Sequence, residues 1–364
     1  MYSTPRELCK QEPKEFIGHK DEVNCISYSP DFQFMVTGSD DKRVRIFNVK
    51  TKVCIIALKG HESAIKSVAV SQCSKYIASG SFDKTARIWR TCNGSCIHIL
   101  QGHKKSVEHV AFSPGAIYLC TGSWDRTAIL WCTQTGYRLR LLQGHEGLVQ
   151  SVAFSHDLKF LASGSWDFTV RVWTLNHRVY RKTLEHLKHQ HQDNNVETDH
   201  SENGEKSCSD VADRDIPADN HEDVYKILFG HSGNIHSVTF SKIGMLASGS
   251  WDRTIRLWNP KNGVCLRVLI GHIGWVQAVS FSPDSTYVAS AADDDFVKVW
   301  DIPTGECINT LEGSTDLAHF CSFTPEGYLI ASGSTASKGK ELPKRKDDET
   351  ESVEDQLTAL LNQE

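Results

Sequence analysis

A histidine, a hydroxyl residue, an aspartate and a tryptophan recur along this chain at fixed separations. The sets are His61, Ser79, Asp83, Trp89; His103, Thr121, Asp125, Trp131; His145, Ser163, Asp167, Trp173; His231, Ser248, Asp252, Trp258; and His272, Ser290, Asp294, Trp300. Serine, histidine and aspartate are the groups from which hydrolases assemble an activated nucleophile, so acyl transfer is the first chemistry to weigh. Two features oppose it. An enzyme needs one activated hydroxyl, whereas this constellation occurs five times with no distinguishing neighbour. No Gly-x-Ser-x-Gly elbow accompanies any of the serines either. A set repeated so regularly reads as scaffold, with no catalytic residue and no cofactor.

The repeated set must be positioned by a repeated unit. Gly-His pairs mark it at Gly18-His19, Gly60-His61, Gly102-His103, Gly144-His145, Gly230-His231 and Gly271-His272, the histidines standing 42, 42, 42, 86 and 41 residues apart. Gly313-Ser314 is a seventh marker, 42 residues beyond the sixth, with serine for histidine. The doubled spacing signals an insertion, because residues 176–223 hold no Ser-x-Asp turn and no strand ending in Trp. Within a unit apolar residues alternate, as in Val149–Phe154 and Phe160–Ser163, the pattern of short buried strands. Turns at Asp157-Leu158-Lys159 and at Asp167 separate three strands, and a fourth, such as Cys54–Leu58 or Cys307–Leu311, leads into the next Gly-His. Four antiparallel strands per unit make the sheet of a β-propeller, a fold that leaves few exposed sheet edges.

These linked motifs, over residues 12–334, resemble the WD40 repeat family. The resemblance implies an all-β, seven-bladed WD40 propeller with six clear repeats and a degenerate seventh blade. It also implies that His, Ser/Thr, Asp and Trp form a buried hydrogen-bond chain, which is physically reasonable because a buried polar group is costly without a partner. The first repeat keeps His19, Thr37 and Asp41 but carries Phe47 for the tryptophan, which predicts a shorter network and a less rigid blade. Family propellers commonly close by lending an N-terminal strand to the last blade, and Glu15-Phe16-Ile17 is the candidate here. The last blade reads as two strands, Ala318–Phe323 and Tyr328–Ser332. Beyond them Thr335–Pro343 is a poor third strand, so the blade is degenerate or completed from outside the chain.

Composition narrows the function class. A net charge of −5 favours neither nucleic acid nor a membrane surface as partner. The N-terminal residues lack a signal-peptide core and no apolar run approaches the ~18 residues of a membrane span. The chain has twelve cysteines, and Cys25, Cys54, Cys265, Cys307 and Cys321 fall within strand-like runs as small buried hydrophobes. Reduced thiols in the cytoplasm, or in the nucleus, are expected. Cys92 and Cys96 lack a second pair at zinc spacing, so no metal site is expected there.

Two segments lie outside the ring, besides an N-terminal extension over residues 1–11. Residues 185–223 carry twelve acidic and three basic residues, a composition expected to stay disordered. His186, His189 and His191 in this segment are read as solvated. Val179–His186 and Val224–His231 are similar in sequence, and the second is the outer strand of the fourth unit because Gly-His follows it directly. The tail, residues 335–364, has a basic cluster at Lys344-Arg345-Lys346, a weak import signal. Val353, Leu357, Leu360 and Leu361 then follow at the spacing of a short amphipathic helix.

Function is expected on the rim. The residue before each turn aspartate (Asp40, Phe82, Trp124, Trp166, Trp251, Asp293) is free of the buried chain and points to the top face. By strand alternation, the residue after the first apolar position of each inner strand faces the channel mouth: Asn24, Lys66, Glu108, Gln150, His236, Gln277. The residue two before each of these adds Trp275. The resemblance implies that such positions contact peptides in relatives. The expected function is a non-catalytic scaffold, a subunit of a larger complex, binding protein or peptide partners through aromatic walls that suit an apolar or cationic anchor. A substrate receptor of a cullin-type ubiquitin ligase is the alternative. Many such receptors carry Trp-Asp-x-Arg, and even Trp300-Asp301-Ile302-Pro303 lacks the arginine.

Overall fold

A computed structural model describes residues 8–9, 14–16, 18–176, 225–312, 318–323, 329–333, 356–357 and 361–362. Its described residues form six four-stranded antiparallel sheets and a two-stranded seventh, each built in chain order from the channel outward. In the fourth sheet the inner strand is Val149–Phe154, the second Phe160–Ser165, the third Val170–Thr174 and the outer Tyr225–Leu228. The outer strand pairs with the third through Val170↔Leu228 and Trp173↔Tyr225. The acidic insertion (residues 185–223) falls outside the described residues, as do the three histidines in it.

Apolar clusters sit between consecutive blades, so each sheet buries both faces and its strands are apolar on both. Between blades four and five, Val172 and Leu228 meet Ile235, Val238 and Trp258. Inner strands are also joined by hydrogen bonds across the blade boundary. Ser67 Oγ accepts from Val110 N at 3.1 Å, Ser151 Oγ from Val238 N at 3.1 Å and Ser237 Oγ from Val279 N at 3.2 Å. At the third blade His109 takes the serine's place, and its Nδ1 accepts from Val152 N at 3.4 Å.

Every inner strand carries a β-bulge after its first residue. The register shifts fall between Val23 and Cys25, Ile65 and Ser67, Val107 and His109, Val149 and Ser151, Ile235 and Ser237, Val276 and Ala278, and Ala318 and Phe320. The extra residue is therefore Asn24, Lys66, Glu108, Gln150, His236 or Gln277 in the first six blades. Simple alternation is not what sends these side chains to the channel; a bulge re-aims them.

Three expectations need correction. The first blade's network is not merely shortened by Phe47, because Arg45 Nη1 donates to Asp41 Oδ2 at 2.7 Å and adds an ion pair. Cys307 is exposed, because outer strands turn one face to solvent. Where the spacing predicts a helix, the tail's described residues form strand pairs, Gln356–Leu357 with Lys14–Glu15 and Leu361–Asn362 with Leu8–Cys9, while Val353 and Leu360 lie outside the described residues. The hydrogen-bonding edges of the N-terminal strands are met by these tail residues, a backbone demand that side-chain spacing does not reveal. Phe16 lies beyond that pairing and packs edge-on against Phe47, 5.7 Å between ring centres.

Candidate functional site

The His–hydroxyl–Asp–Trp sets come together in each of blades two to six. Histidine Nδ1 lies 2.7–2.9 Å from the aspartate and Nε2 2.7–2.8 Å from the hydroxyl. The indole N–H donates to the same hydroxyl oxygen at 2.8–2.9 Å. An ionised carboxylate only accepts, so Nδ1–H donates to it and the hydroxyl donates to Nε2. Burial by itself would raise the pKa of Asp83, Asp125, Asp167 and Asp252. Bonds from histidine and from a nearby threonine outweigh it and hold all four well below the usual carboxylate range. Burial in turn lowers His61, His145 and His272, against the pull of their aspartates.

Ser79, Thr121, Ser163, Ser248 and Ser290 are all 0% exposed. A substrate carbonyl has no route to these hydroxyls, so the sets hold the blade rather than attack a bond. Sequence reading missed two members. Thr85, Thr127, Thr169 and Thr254 each donate to the second oxygen of the turn aspartate at 2.6–2.7 Å. Ser39, Ser81, Ser123 and Ser250 tie the turn to the Gly-His loop by donating to its carbonyls. Their signal was present, a serine two before and a threonine two after Asp83, Asp125, Asp167 and Asp252.

A cavity of about 510 Å³ runs along the inner strands, and all six bulge residues line it. Bulge residue and pre-aspartate residue, drawn from separate places in the sequence, meet within a blade. Asn24 Nδ2 donates to Asp40 Oδ1 at 2.6 Å, and Gln277 Nε2 reaches both oxygens of Asp293 at 2.9 and 2.8 Å. His236 lies parallel over Trp251, 6.5 Å between centres. Lys66 crosses to Asp40 in the first blade at 3.3 Å. Burial raises the Glu108 pKa, while bonds from Ser106 and Trp124 and the charge of Lys66 oppose the rise. Burial, and the charge of His236 beside it, pull His109 down to about 4. Gln150 lines the same cavity.

The mouth is thus two-sided. Asp293, Asn24, Asp40, Lys66 and Glu108 make a charged arc. Next to Asp293, whose N–H donates to the Trp275 carbonyl at 3.0 Å, Trp275 stacks on Trp251 (4.5 Å, 13°), and Trp251 leans on Trp166 (5.0 Å, 52°). Phe82 meets Trp124 edge-on at 5.9 Å. Phe82, Trp124 and Trp275 are 48, 39 and 47% exposed, whereas Trp166 and Trp251 are half-buried with their indole N–H groups unbonded among the described residues. Sequence reading missed Phe168 and Ile273, exposed beside this arc. Among the described residues no group of His, Cys, Asp and Glu is placed to hold a metal ion, and no helix is long and apolar enough to cross a membrane.

The WD domain, G-beta repeat model matches residues 10–48, 52–90, 94–132, 136–174, 222–259 and 263–301, more than half of the chain. The chain belongs to the WD40 repeat family. Among curated WD40 relatives, Nuclear distribution protein PAC1 of Arthroderma benhamiae is 33% identical over 86 residues, 21% of this chain and 18% of that protein. A Lissencephaly-1 homolog of Dictyostelium discoideum is 40% identical over 68 residues, 19% of this chain and 15% of that protein. Small ribosomal subunit protein RACK1y of Oryza sativa subsp. japonica is 44% identical over 64 residues, 17% of this chain and 19% of that protein. The aligned stretches span less than a fifth of each relative's length.

Proposed function

We propose that this WD40 protein is a non-catalytic scaffold that holds peptide or protein partners on the propeller's top face. The observation that carries this reading is the Trp166–Trp251–Trp275 ladder, which meets through His236 the cavity that Lys66 and Glu108 also line. Large aromatic surface supplies affinity, and the fixed charges of Asp40, Lys66, Glu108 and Asp293 supply orientation. Such a mouth accepts an apolar or cationic anchor residue, since indole faces attract cations. The scaffold works as one subunit of a larger complex, in the cytoplasm or nucleus. The name of the rice relative, small ribosomal subunit protein RACK1y, is in keeping with that role. The layout of the whole chain is similar to WD repeat-containing protein 38, and we infer a scaffold of that type.

Affinity purification with the wild-type chain and with a Trp166→Ala/Trp251→Ala variant tests the reading. The partner recovered by the wild type should be missing from the variant's eluate. Equal recovery by a folded variant would rule out the aromatic arc as the binding surface.

A further inference from the structure

The fifth blade differs from its neighbours at its outer edge. Its outer strand, Val264–Ile270, is the longest of the outer strands at seven residues and exposes Val264, Leu266, Val268 and Ile270 (51, 47, 40 and 75%). The corresponding strand of the sixth blade, Cys307–Glu312, is flanked by Glu306 and ends in Glu312. Exposed sheet edges are normally short, charged or covered, and an unguarded apolar edge attracts another segment. Charge singles out the same blade. Residues 230–270 hold Lys242, Arg253, Arg256, Lys261 and Arg267 against Asp252 alone, whose carboxylate is held by His231. The sixth blade, residues 271–312, holds seven acidic residues and one basic. Lys242, Arg253, Lys261 and Arg267 are all exposed.

We infer that this basic, apolar edge of the fifth blade is the docking surface for the acidic segment of the same chain, residues 185–223. Three observations select this occupant. Its twelve acidic and three basic residues complement the blade whose outer strand, among those described, exposes the most large apolar side chains beside exposed cations. The described chain leaves the fourth blade at Asn176 and re-enters it at Tyr225, so 48 residues, 177–224, are tethered at that point. The point of re-entry also touches the fifth blade's outer hairpin: Lys226 Nζ donates to the Lys261 carbonyl, and a Cβ on Gly263 would lie 3.3 Å from Leu228. Tethering raises the local concentration of the segment at this edge above that at the basic second blade; the third blade touches the exit, through Arg140 Nη1 on the Thr174 carbonyl at 3.1 Å, but its outer strand, Arg138–Leu142, exposes of its large apolar side chains Leu141 alone. The edge lies on the ring's outer wall, away from the tryptophan ladder, so this docking stands or falls independently of the top-face function.

Hydrogen exchange of the full chain, and of a chain with residues 185–223 replaced by a short Gly-Ser linker, tests the assignment. Backbone amides of Val264–Ile270 should exchange about tenfold faster in the shortened chain, with Ile235–Phe240 and Val276–Phe281 unchanged. Raising salt from about 50 to about 500 mM on the intact chain should give the same local loss, because exposed ion pairs are screened. A synthetic peptide of residues 185–223 should restore protection to the shortened chain, and fail on a Lys261→Glu/Arg267→Glu background. Should the shortened chain lose protection throughout, the salt series on the intact chain decides. Equal exchange at Val264–Ile270 with and without the segment would overturn the inference. So would protection that survives removal of the segment but falls on dilution, which would assign the edge to a second copy of the chain.

Discussion

The indole of Trp275 lies face to face on that of Trp251, 4.5 Å apart and 13° from parallel, although the two residues sit in different blades. Trp275 comes from the loop before the sixth inner strand, Trp251 from the turn between two strands of the fifth. Hydrogen bonds place both loops: Trp251 N donates to Asn234 O at 2.9 Å, and Trp275 O accepts from Asp293 N at 3.0 Å. A ladder held by backbone contacts is pre-organised, so a partner meets a rigid aromatic surface and loses less entropy on binding.

The two tryptophans should separate binding from stability. Trp251 is flanked by Trp166, Trp275 and His236, so Trp251→Ala should cost about 3 kcal/mol by opening a cavity. Trp275 is 47% exposed, and Trp275→Ala should cost less than about 1 kcal/mol. Urea denaturation of both variants checks the difference.

Ser163→Ala removes the hydroxyl shared by Trp173 Nε1 and His145 Nε2. Both nitrogens remain buried, and stability should fall by about 1–3 kcal/mol. Partner capture should not change, because the serine lies inside the blade. A lost interaction at unchanged stability would return the triad to a functional role.

Acid should destabilise this propeller well above the range where its aspartates protonate. His61, His145, His272 and His109 have folded pKa values below the ordinary 6.5, so between pH 6.5 and their folded values the unfolded chain binds more protons. Their contribution is full above pH 6.5 and is lost as pH falls from there. His109→Ser should flatten this dependence, since serine accepts the cross-blade bond at equivalent positions of other blades. At 1.36 kcal/mol per unit, a drop to about 4 predicts roughly 2 kcal/mol recovered at pH 4 once partial solvent contact is discounted. Thermal melts of the two proteins from pH 7 to pH 4 would show the variant gaining on the wild type as pH falls. Parallel curves would contradict it.

Arg45 gives the first blade a different bond from the missing indole's: it donates to the turn aspartate, whereas Trp89 and its equivalents donate to the hydroxyl. Arg45→Met should cost about 2 kcal/mol by leaving Asp41 without its cation, both side chains being at least 87% buried. Chemical denaturation reads this directly. A change under about 0.5 kcal/mol would mean that His19 alone satisfies Asp41.

Much of this was legible in the sequence because repetition made each residue its own control. Six aligned units separated His145, Ser163, Asp167 and Trp173 from Trp166, which varies among them. The bulge at Asn24, Lys66, Glu108, Gln150, His236 and Gln277 was not legible, because an extra residue in an apolar strand leaves no mark on composition. Arg45 was overlooked for a related reason. It stands where Arg87, Arg171 and Arg256 also stand; Arg87 and Arg256 lie over Trp89 and Trp258, whereas Arg45 reaches Asp41. The stacking of Trp275 on Trp251 needed the angle between blades, which no single repeat encodes.

The most direct measurement is a titration of the affinity-purified partner against the wild-type chain and a Trp124→Ala/Trp275→Ala variant, by calorimetry under identical salt. Both residues are exposed, so the variant should melt within a few degrees of the wild type. Its affinity should fall at least about tenfold, equivalent to about 1.4 kcal/mol of lost contact. An unchanged dissociation constant in a folded variant would contradict a partner site at this aromatic mouth.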